Sequence, residues 1–305
     1  MTAATVLVEA IDGVPVPAPL ALEAGPPPAL GVHDWPAETY HRDPLRPWGG
    51  SASSTTLRKI LEPGGPALVA WERAHPTYRD AFDFGGAAHT ITLGKGDEIV
   101  EVFADDWRTK AAKDARAEAR AAGLRPLLSK DLVRARALAG AVREHPLAGP
   151  LVDGRVGVPE RSVLWMDETT GLYCRAMLDV FPHLDDPAPI AVDVKTTESG
   201  LDPRSLARTV ISYGYHQQAA HYLDGLASIG LVEARFVFVF VTKTPPHLVA
   251  VRTLSTAFLE LGRARNRRAL DSLSWCLESG RWPGLPAITE EIEPPAWATY
   301  QEEDA

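Results

Sequence analysis

The apolar and polar positions of the chain change period several times, and each change marks an element. Short runs of β-branched and apolar residues, bounded by Pro, Gly and Asp, predict consecutive strands at 161–165, 172–181 and 190–196. Two further runs, 235–242 and 247–252, predict a strand pair on either side of two adjacent prolines. The second half of the chain is therefore rich in strands.

Helical periodicity dominates the remaining segments. Hydroxyl residues before an apolar stretch predict a helix start near Ser53 or Ser54, because such side chains cap helix N-termini. The segment 106–145 is rich in Ala, Arg, Lys and Leu and is broken at 123–126, which predicts two helices joined by a turn. Further helices are predicted at 84–93, 203–211, 213–229 and 256–279. Helices and strands interleave, which is typical of an α/β fold.

One domain accounts for most of this pattern. Residues 1–30 contain no Lys or Arg and many prolines, and we interpret them as a flexible Pro/Ala-rich segment. Residues 31–288 form the predicted domain, with a helical N-terminal part. Residues 289–305 carry six acidic and no basic side chains, so a solvated acidic tail is predicted there.

Composition narrows the possible functions. The formal net charge of −9 argues against a generally basic nucleic-acid coat protein. The two cysteines, Cys174 and Cys276, lie far apart, which disfavours a disulfide scaffold, a four-cysteine zinc site and an iron–sulfur cluster. The longest strongly apolar run, 236–241, is far shorter than the roughly 18 residues that cross a bilayer. The N-terminus lacks the basic region of a secretory signal, so we expect a cytoplasmic protein with no membrane partner.

Local charge departs from this average between residues 107 and 145. Ten basic side chains stand there against four acidic ones. The segment is a candidate phosphate-facing surface, and a solvated helical face with i,i+4 ion pairs explains it equally well. The ten basic residues are Arg108, Lys110, Lys113, Arg116, Arg120, Arg125, Lys130, Arg134, Arg136 and Arg143.

Two aspartates and a lysine stand on consecutive predicted strands. Because side chains alternate along a strand, Asp193 and Lys195 emerge on one face, and a neighbouring strand can bring Asp179 beside them. Charges inside apolar strands are costly unless they are paired or bind a cation. Two adjacent carboxylates repel each other, and Mg²⁺ or Mn²⁺ would relieve that repulsion. The alternative is a structural Asp–Lys ion pair.

Other side chains extend this candidate site. Glu160, at the start of the preceding predicted strand (161–165), could supply another carboxylate or could be an exposed strand-start residue. His89 follows small residues in its predicted helix, which leaves room for a ligand, although a lone helical His is more often packed or exposed. Tyr215, Gln218 and Tyr222 share one helix face, where they suit a nucleic-acid backbone or, alternatively, pack into the core.

The order of these residues resembles a known family. His89, Glu160, Asp179, Asp193-x-Lys195 and Gln218-x-x-x-Tyr222 follow one another as in the RecB-type branch of the PD-(D/E)XK nucleases. Within that branch, residues 51–282 most resemble phage RecE-type exonucleases of the exonuclease VIII kind. The resemblance implies a restriction-endonuclease-like core with a central mixed β-sheet flanked by helices. One departure is that Asp179 lacks the glycine often found just upstream in the family.

The resemblance also implies a role for each residue. The expected metal ligands are His89, Asp179, Asp193 and the Val194 carbonyl, and the expected cation is Mg²⁺ or Mn²⁺. The expected catalytic residues are Asp179, Asp193, Lys195 and the accessory acid Glu160. Gln218 and Tyr222 are expected to contact DNA, together with Tyr215 on the same helix face.

The expected activity is that of a metal-dependent exodeoxyribonuclease in phage-type recombination. It would digest linear double-stranded DNA from free ends, 5′ to 3′, as a homo-oligomer with a RecT-type single-strand annealing protein as partner. Two alternatives stay open. One is an endonuclease or junction-cutting enzyme, since the fold does not set the shape of the substrate. The other is a non-catalytic DNA-binding accessory protein of recombination.

Overall fold

The computed structural model describes residues 25–75 and 83–294. In chain order, its strands are β1 (Gly31–His33), β2 (Ile99–Val102), β3 (Arg125–Leu128), β4 (Gly157–Met166), β5 (Tyr173–Pro182), β6 (Ile190–Thr197), β7 (Arg235–Thr242) and β8 (Val249–Thr253). The helices are α1 (Ala37–His41), α2 (Ser54–Ile60), α3 (Gly65–Ala74), α4 (Asp83–Leu93), α5 (Lys110–Ala121), α6 (Ser129–Glu144), α7 (Gly149–Val152), α8 (Pro203–Ser212), α9 (Tyr215–Ser228) and α10 (Thr256–Ser279).

A six-stranded mixed sheet forms the centre of the fold. Its strand order is β1-β4-β5-β6-β7-β8, and β6 and β7 are parallel while the other neighbours are antiparallel. A second sheet consists of the parallel pair β2 and β3, which α5 connects. The α/β fold with a central mixed sheet is therefore confirmed.

Helices cover both faces of the central sheet, so its strands are apolar on both sides. One core lies between the sheet and α2, α9 and α10, and the other lies between the sheet and α4, α6 and α7. Alternate side chains of β7 fill the two cores, with phenylalanines on one face and valines on the other. The phenylalanines are Phe236, Phe238 and Phe240, and the valines are Val239 and Val241.

Most predicted elements are present. Ser53 caps α2, since its hydroxyl accepts a hydrogen bond from the Thr56 N–H at 3.2 Å. The strand pair around the prolines is the antiparallel pair β7 and β8, and the long closing helix is α10. The turn predicted between the helices of 106–145 contains a strand, β3, which the prediction lacked. Of the predicted terminal segments, residues 1–24 and 295–305 lie outside the described part of the chain.

Among the described residues, every helix is too short or too polar to span a membrane.

Candidate active site between β5 and β6

The candidate site forms where β5 and β6 separate. All residues of both strands are described, and the two strands pair at a single position, Val180 opposite Val192. Beyond that pair, the N–H of Val194 donates to Asp179 Oδ2 at 2.7 Å. Because a buried N–H must find an acceptor, the carboxylate takes the place of the missing ladder carbonyl. Asp179 is thereby drawn into the gap.

The backbone of β4 bends at Glu160, on the other side of β5. The ladder pairs before and after it put Glu160 opposite Asp179. Its φ of 48° lies in the left-handed region, which costs a non-glycine residue about 1–3 kcal/mol. Lys95 Nζ donates to the Glu160 carbonyl at 3.1 Å. Strain of this kind, held in place by its surroundings, is typical of functional sites.

His89 on α4 joins the two carboxylates. Its Nε2 lies 2.8 Å from Asp179 Oδ2, and its Nδ1 lies 3.6 Å from Glu160 Oε1. Burial alone would lower the pKa of His89. The charge and hydrogen bond of Asp179, with the charges of Glu160 and Asp193, outweigh burial, so the pKa of His89 is raised above its ordinary value.

Asp193 and Lys195 share one face of β6, as the alternation of the strand predicts. Lys195 Nζ lies 2.6 Å from Asp193 Oδ2 and 4.9 Å from the centre of the Tyr215 ring. Asp193 is only 1% exposed. Burial, followed by the nearby Asp179 carboxylate, raises the pKa of Asp193 to about 6 against the opposing charge of Lys195.

The pKa values of Lys195 and Asp179 shift in the opposite sense to what burial dictates. Burial would lower the pKa of Lys195, but the charges of Asp193 and Asp179 raise it. Burial would raise the pKa of Asp179, but the charge of His89 and the hydrogen bonds from His89 and the Val194 N–H hold it below its ordinary value. The site therefore contains one strongly ionised carboxylate beside one that protonates more easily.

The polar face of α9 meets the site through Gln218. Its Nε2 donates to Asp193 Oδ1 at 2.6 Å, so the amide orients this carboxylate. Tyr215 lies beneath the Lys195 ammonium. Tyr222 is 6% exposed and packs edge-on against Phe236, which makes it a core residue in this structure. The predicted DNA contacts of these three α9 residues stay predictions.

The donor set fits a divalent cation that prefers oxygen ligands. Three carboxylates and one ammonium leave a local charge of −2 when His89 is neutral, and a divalent cation would balance it. In a regular strand the carbonyl and N–H of one residue lie on the same side, so the Val194 carbonyl is expected on the side of β6 from which its N–H reaches Asp179. Within the described ranges, no three His, Cys, Asp or Glu side chains form a preformed metal cage. Here His89 and Lys195 hold the carboxylates instead.

The structure thus brings together His89, Glu160, Asp179, Asp193 and Lys195, and their catalytic and metal-binding roles stay predictions. The sequence reasoning missed the loop after α4, which supports Glu160 through Lys95 and Gly96. A Cβ on Gly96 would lie 2.4 Å from Thr90 Oγ1 and 3.4 Å from Glu160 Oε1. The available signal was the Gly94-Lys95-Gly96 sequence directly after an amphipathic helix.

Many basic side chains of 107–145 are held by ion pairs within the protein. Such pairs favour the interpretation as a solvated face over that of an open phosphate-facing surface. The pairs are Arg108 with Asp106, Lys110 with Asp114, Arg125 with Asp97, and Arg134 with Asp131.

The fold and the sequence are each similar to known proteins. A crystal structure from Eubacterium rectale, named a putative exonuclease, has a TM-score of 0.56 and 11% sequence identity to this chain, covering 88% of this chain and 98% of that chain. At this identity the likeness shows the fold alone. No curated protein matches the chain in sequence. The family model of the PDDEXK-like domain of unknown function (DUF3799) matches residues 53–293, so the chain belongs to this PDDEXK-like family.

Proposed function

We propose that this protein is a metal-dependent exodeoxyribonuclease that hydrolyses phosphodiester bonds of linear double-stranded DNA. The observation that carries the proposal is the meeting of His89, Asp179, Asp193 and Lys195 at one gap of the central sheet. Membership in a PDDEXK-like family supports it, and so does the fold shared with a protein named a putative exonuclease. A binding module alone has no use for buried carboxylates that repel phosphate.

The residues of the proposed site have different roles. His89, Asp179 and Asp193 would hold Mg²⁺ or Mn²⁺, with the Val194 carbonyl beside them. When bound, such a cation neutralises phosphate charge and lowers the pKa of a water molecule that attacks phosphorus. Lys195, held by Asp193, brings a positive charge for a phosphate oxygen.

Two residues act through the others. Gln218 fixes the orientation of Asp193 by donating to its Oδ1. Glu160 adds a carboxylate opposite Asp179 and is an accessory acid that can orient a water molecule or His89. Both are positioning residues of the proposed site.

The finer features of the proposal come from the resemblance to RecE-type exonucleases. They are 5′ to 3′ polarity, a homo-oligomer that encloses DNA, and action in phage-type recombination beside a RecT-type annealing protein. Enclosure would allow processive digestion despite the net charge of −9. A monomeric mass in solution would contradict the homo-oligomer.

The test compares linear and closed circular DNA. Purified protein is incubated with end-labelled linear duplex and with closed circles, each with Mg²⁺, Mn²⁺ or EDTA. We expect loss of the linear duplex with either metal, no loss in EDTA and intact circles, because an exonuclease needs an end. The position of the label then gives the polarity.

Two variants make the assay specific. Lys195→Ala should lower the rate by about 10²-fold or more, as expected for loss of a group that stabilises transition-state charge. Lys243→Ala removes a lysine whose partner is Glu198, outside the site, and should retain activity. Nicked or cut circles would indicate an endonuclease instead. Linear DNA that is bound but survives every metal condition would contradict nuclease activity.

A further inference from the structure

A polar cavity of about 280 Å³ opens beside the N-terminus of α9. Arg58 from α2 lines it together with Arg265 and Arg268 from α10. Among its lining residues the acidic side chain is Glu62, which pairs with Arg58 at 2.7 Å. Two guanidinium groups therefore face the cavity without a carboxylate. Such a concentration of positive charge in a protein with a net charge of −9 favours binding of an anion.

Arg265 is positioned without losing its charge. Its Nη1 donates to His216 Nε2 at 3.3 Å, and the Nδ1–H of His216 donates to the Val210 carbonyl at 3.2 Å. This arrangement requires a neutral imidazole, in agreement with burial, which lowers the pKa of His216. Arg268 makes no hydrogen bond or ion pair within the described part of the chain. Within the described residues, neither guanidinium group is paired with a carboxylate, so both can bind an anionic ligand.

The N-terminus of α9 adds backbone N–H donors to the same cavity. Gly214 is the N-cap residue and has no side chain to accept from the first turn of the helix. The aligned N–H groups of a helix start attract anions, and they reinforce the arginines here. Gly214 has a φ of 69°, and a Cβ there would lie 2.6 Å from Arg58 Cδ. Glycine thus lets Arg58 lie against the start of the helix.

The cavity lies next to the candidate active site. Gly214 lines the cavity, and the next residue, Tyr215, lies under the Lys195 ammonium. Lys195 Nζ is 4.9 Å from the centre of the Tyr215 ring. The ring of Tyr213, which is 62% exposed, stacks on Tyr215 at 5.6 Å. The exposed ring of Tyr213, beside Tyr215, offers a stacking face for a nucleobase.

We infer that this cavity binds a phosphate group of the nucleic-acid substrate other than the one that is cleaved. The inference rests on the proposed function and adds a substrate-binding site to it. Arg265 and Arg268 bind the phosphate oxygens, and His216 is a positioning residue for Arg265. Phosphate contacts carry no sequence information, so the cavity contributes to DNA affinity at every sequence.

The test measures DNA binding in EDTA, where cleavage does not interfere. The double variant Arg265→Gln/Arg268→Gln is compared with wild type and with Arg263→Gln, a control on the same helix whose partner is Asp224. We expect the double variant to bind duplex DNA about 10-fold more weakly. The slope of log Kobs against log salt should fall in magnitude by about one, because one phosphate contact is lost. The control should match wild type in both quantities.

Cleavage kinetics separate this inference from the proposed function. A binding site away from the cleaved bond predicts a higher KM for the double variant with kcat retained. Wild-type affinity and salt slope in the double variant, with wild-type cleavage intact, would overturn the cavity's role and leave the nuclease standing. Wild type that binds DNA through these arginines but cleaves nothing with any metal would overturn the nuclease and keep the cavity.

Two further arms complete the design. Arg268→Gln alone removes no hydrogen bond or ion pair within residues 25–75 and 83–294, so it provides the answer if the double variant fails to fold. It should lose part of the affinity, and wild-type affinity would count against the site. Duplexes with phosphorylated or hydroxyl ends show whether the bound group is terminal or internal. A loss confined to phosphorylated ends indicates a terminal phosphate, and an equal loss on both indicates a backbone phosphate.

Discussion

Asp179 and Asp193 are close enough to change each other's protonation, and their partners give them different properties. Asp179 accepts from His89 and from a backbone N–H, which favours its charged form. Asp193 is more deeply buried, and its pKa rises to about 6. A cation that binds both must therefore displace protons from the site, so affinity for the metal should rise with pH.

His221 differs from His89 because the fold keeps it neutral: its pKa is lowered, whereas that of His89 is raised. It is 3% exposed, lies against the Trp165 ring and hydrogen-bonds the Arg175 carbonyl at 3.1 Å. Burial lowers its pKa to about 4. Between pH 4 and the ordinary value of about 6.5, the unfolded chain binds this proton and the folded chain does not. The stability from His221 is complete above about pH 6.5 and is lost as the pH falls towards 4.

We therefore predict a stability loss in acid that depends on His221. Its contribution to the unfolding free energy should fall by about 3 kcal/mol between pH 6.5 and 4, at about 1.4 kcal/mol per unit of pKa shift. Denaturant unfolding across this range should show a shallower decline for His221→Gln than for wild type. The exposed His75→Gln is the matched control and should follow wild type. Parallel curves for His221→Gln and wild type would contradict the prediction.

At the scale of elements, the candidate active site depends on the separation of two strands. β6 keeps its full parallel pairing with β7, while its pairing with β5 is reduced to one residue pair. Asp179 bridges the gap by accepting the Val194 N–H. The residue that would bind metal is therefore also a substitute for a sheet hydrogen bond.

This double role predicts that two inactive variants differ in stability. Asp179→Asn keeps an acceptor for the Val194 N–H, whereas Asp179→Leu has a similar volume and leaves that buried donor unpaired. The unfolding free energy of Asp179→Leu should be lower than that of Asp179→Asn by about 1–3 kcal/mol. Urea denaturation measures the difference, and the exposed Asp114→Asn serves as the control for loss of a carboxylate. Equal stability of the two Asp179 variants would show that the bridge contributes nothing.

The same scale explains which elements the sequence could predict. Long elements with a clear period, such as β7 and α10, were found because each of their residues repeats the signal. β1, β2 and β3 have three or four residues each, too few to show a period. β3 also contains Pro126, which argues against a strand, and only its pairing with β2 makes it one. The bend at Glu160 likewise depends on the ladder around it rather than on local sequence.

At the scale of the whole molecule, the sequence predicted the order of the candidate site residues along the chain but not the contacts between them. The D-x-K spacing placed Asp193 and Lys195 on one face from strand geometry alone. That Gln218 holds Asp193, or that Tyr222 lies in the core, depends on how α9 packs on the sheet. The arginine cavity joins α2 to α10, which stand at opposite ends of the described chain, so no spacing pattern could reveal it.

Metal binding should be visible in the stability of the entire fold. The proposed metal ligands lie on α4, β5 and β6, so a cation bound among them would link the helix to the sheet, and it should bind the folded state alone. At a hundred times its Kd, such a ligand adds about 2.7 kcal/mol to the unfolding free energy. For a chain of 305 residues, at an unfolding entropy of about 2.1 cal/mol/K per residue, that corresponds to a rise in Tm of about 4 °C.

We predict this rise for wild type with Mn²⁺ or Mg²⁺, measured by thermal unfolding at pH 7.5, and its reversal by EDTA. Asp193→Asn loses a proposed ligand and should show a much smaller rise at the same metal concentration. Asp114→Asn removes an exposed carboxylate outside the site and should behave as wild type. The readout needs no DNA, so it tests the cation site apart from nuclease activity. An equal rise in wild type and Asp193→Asn would place the cation elsewhere, because a ligand that stabilises only through Asp193 cannot act once that carboxylate is gone.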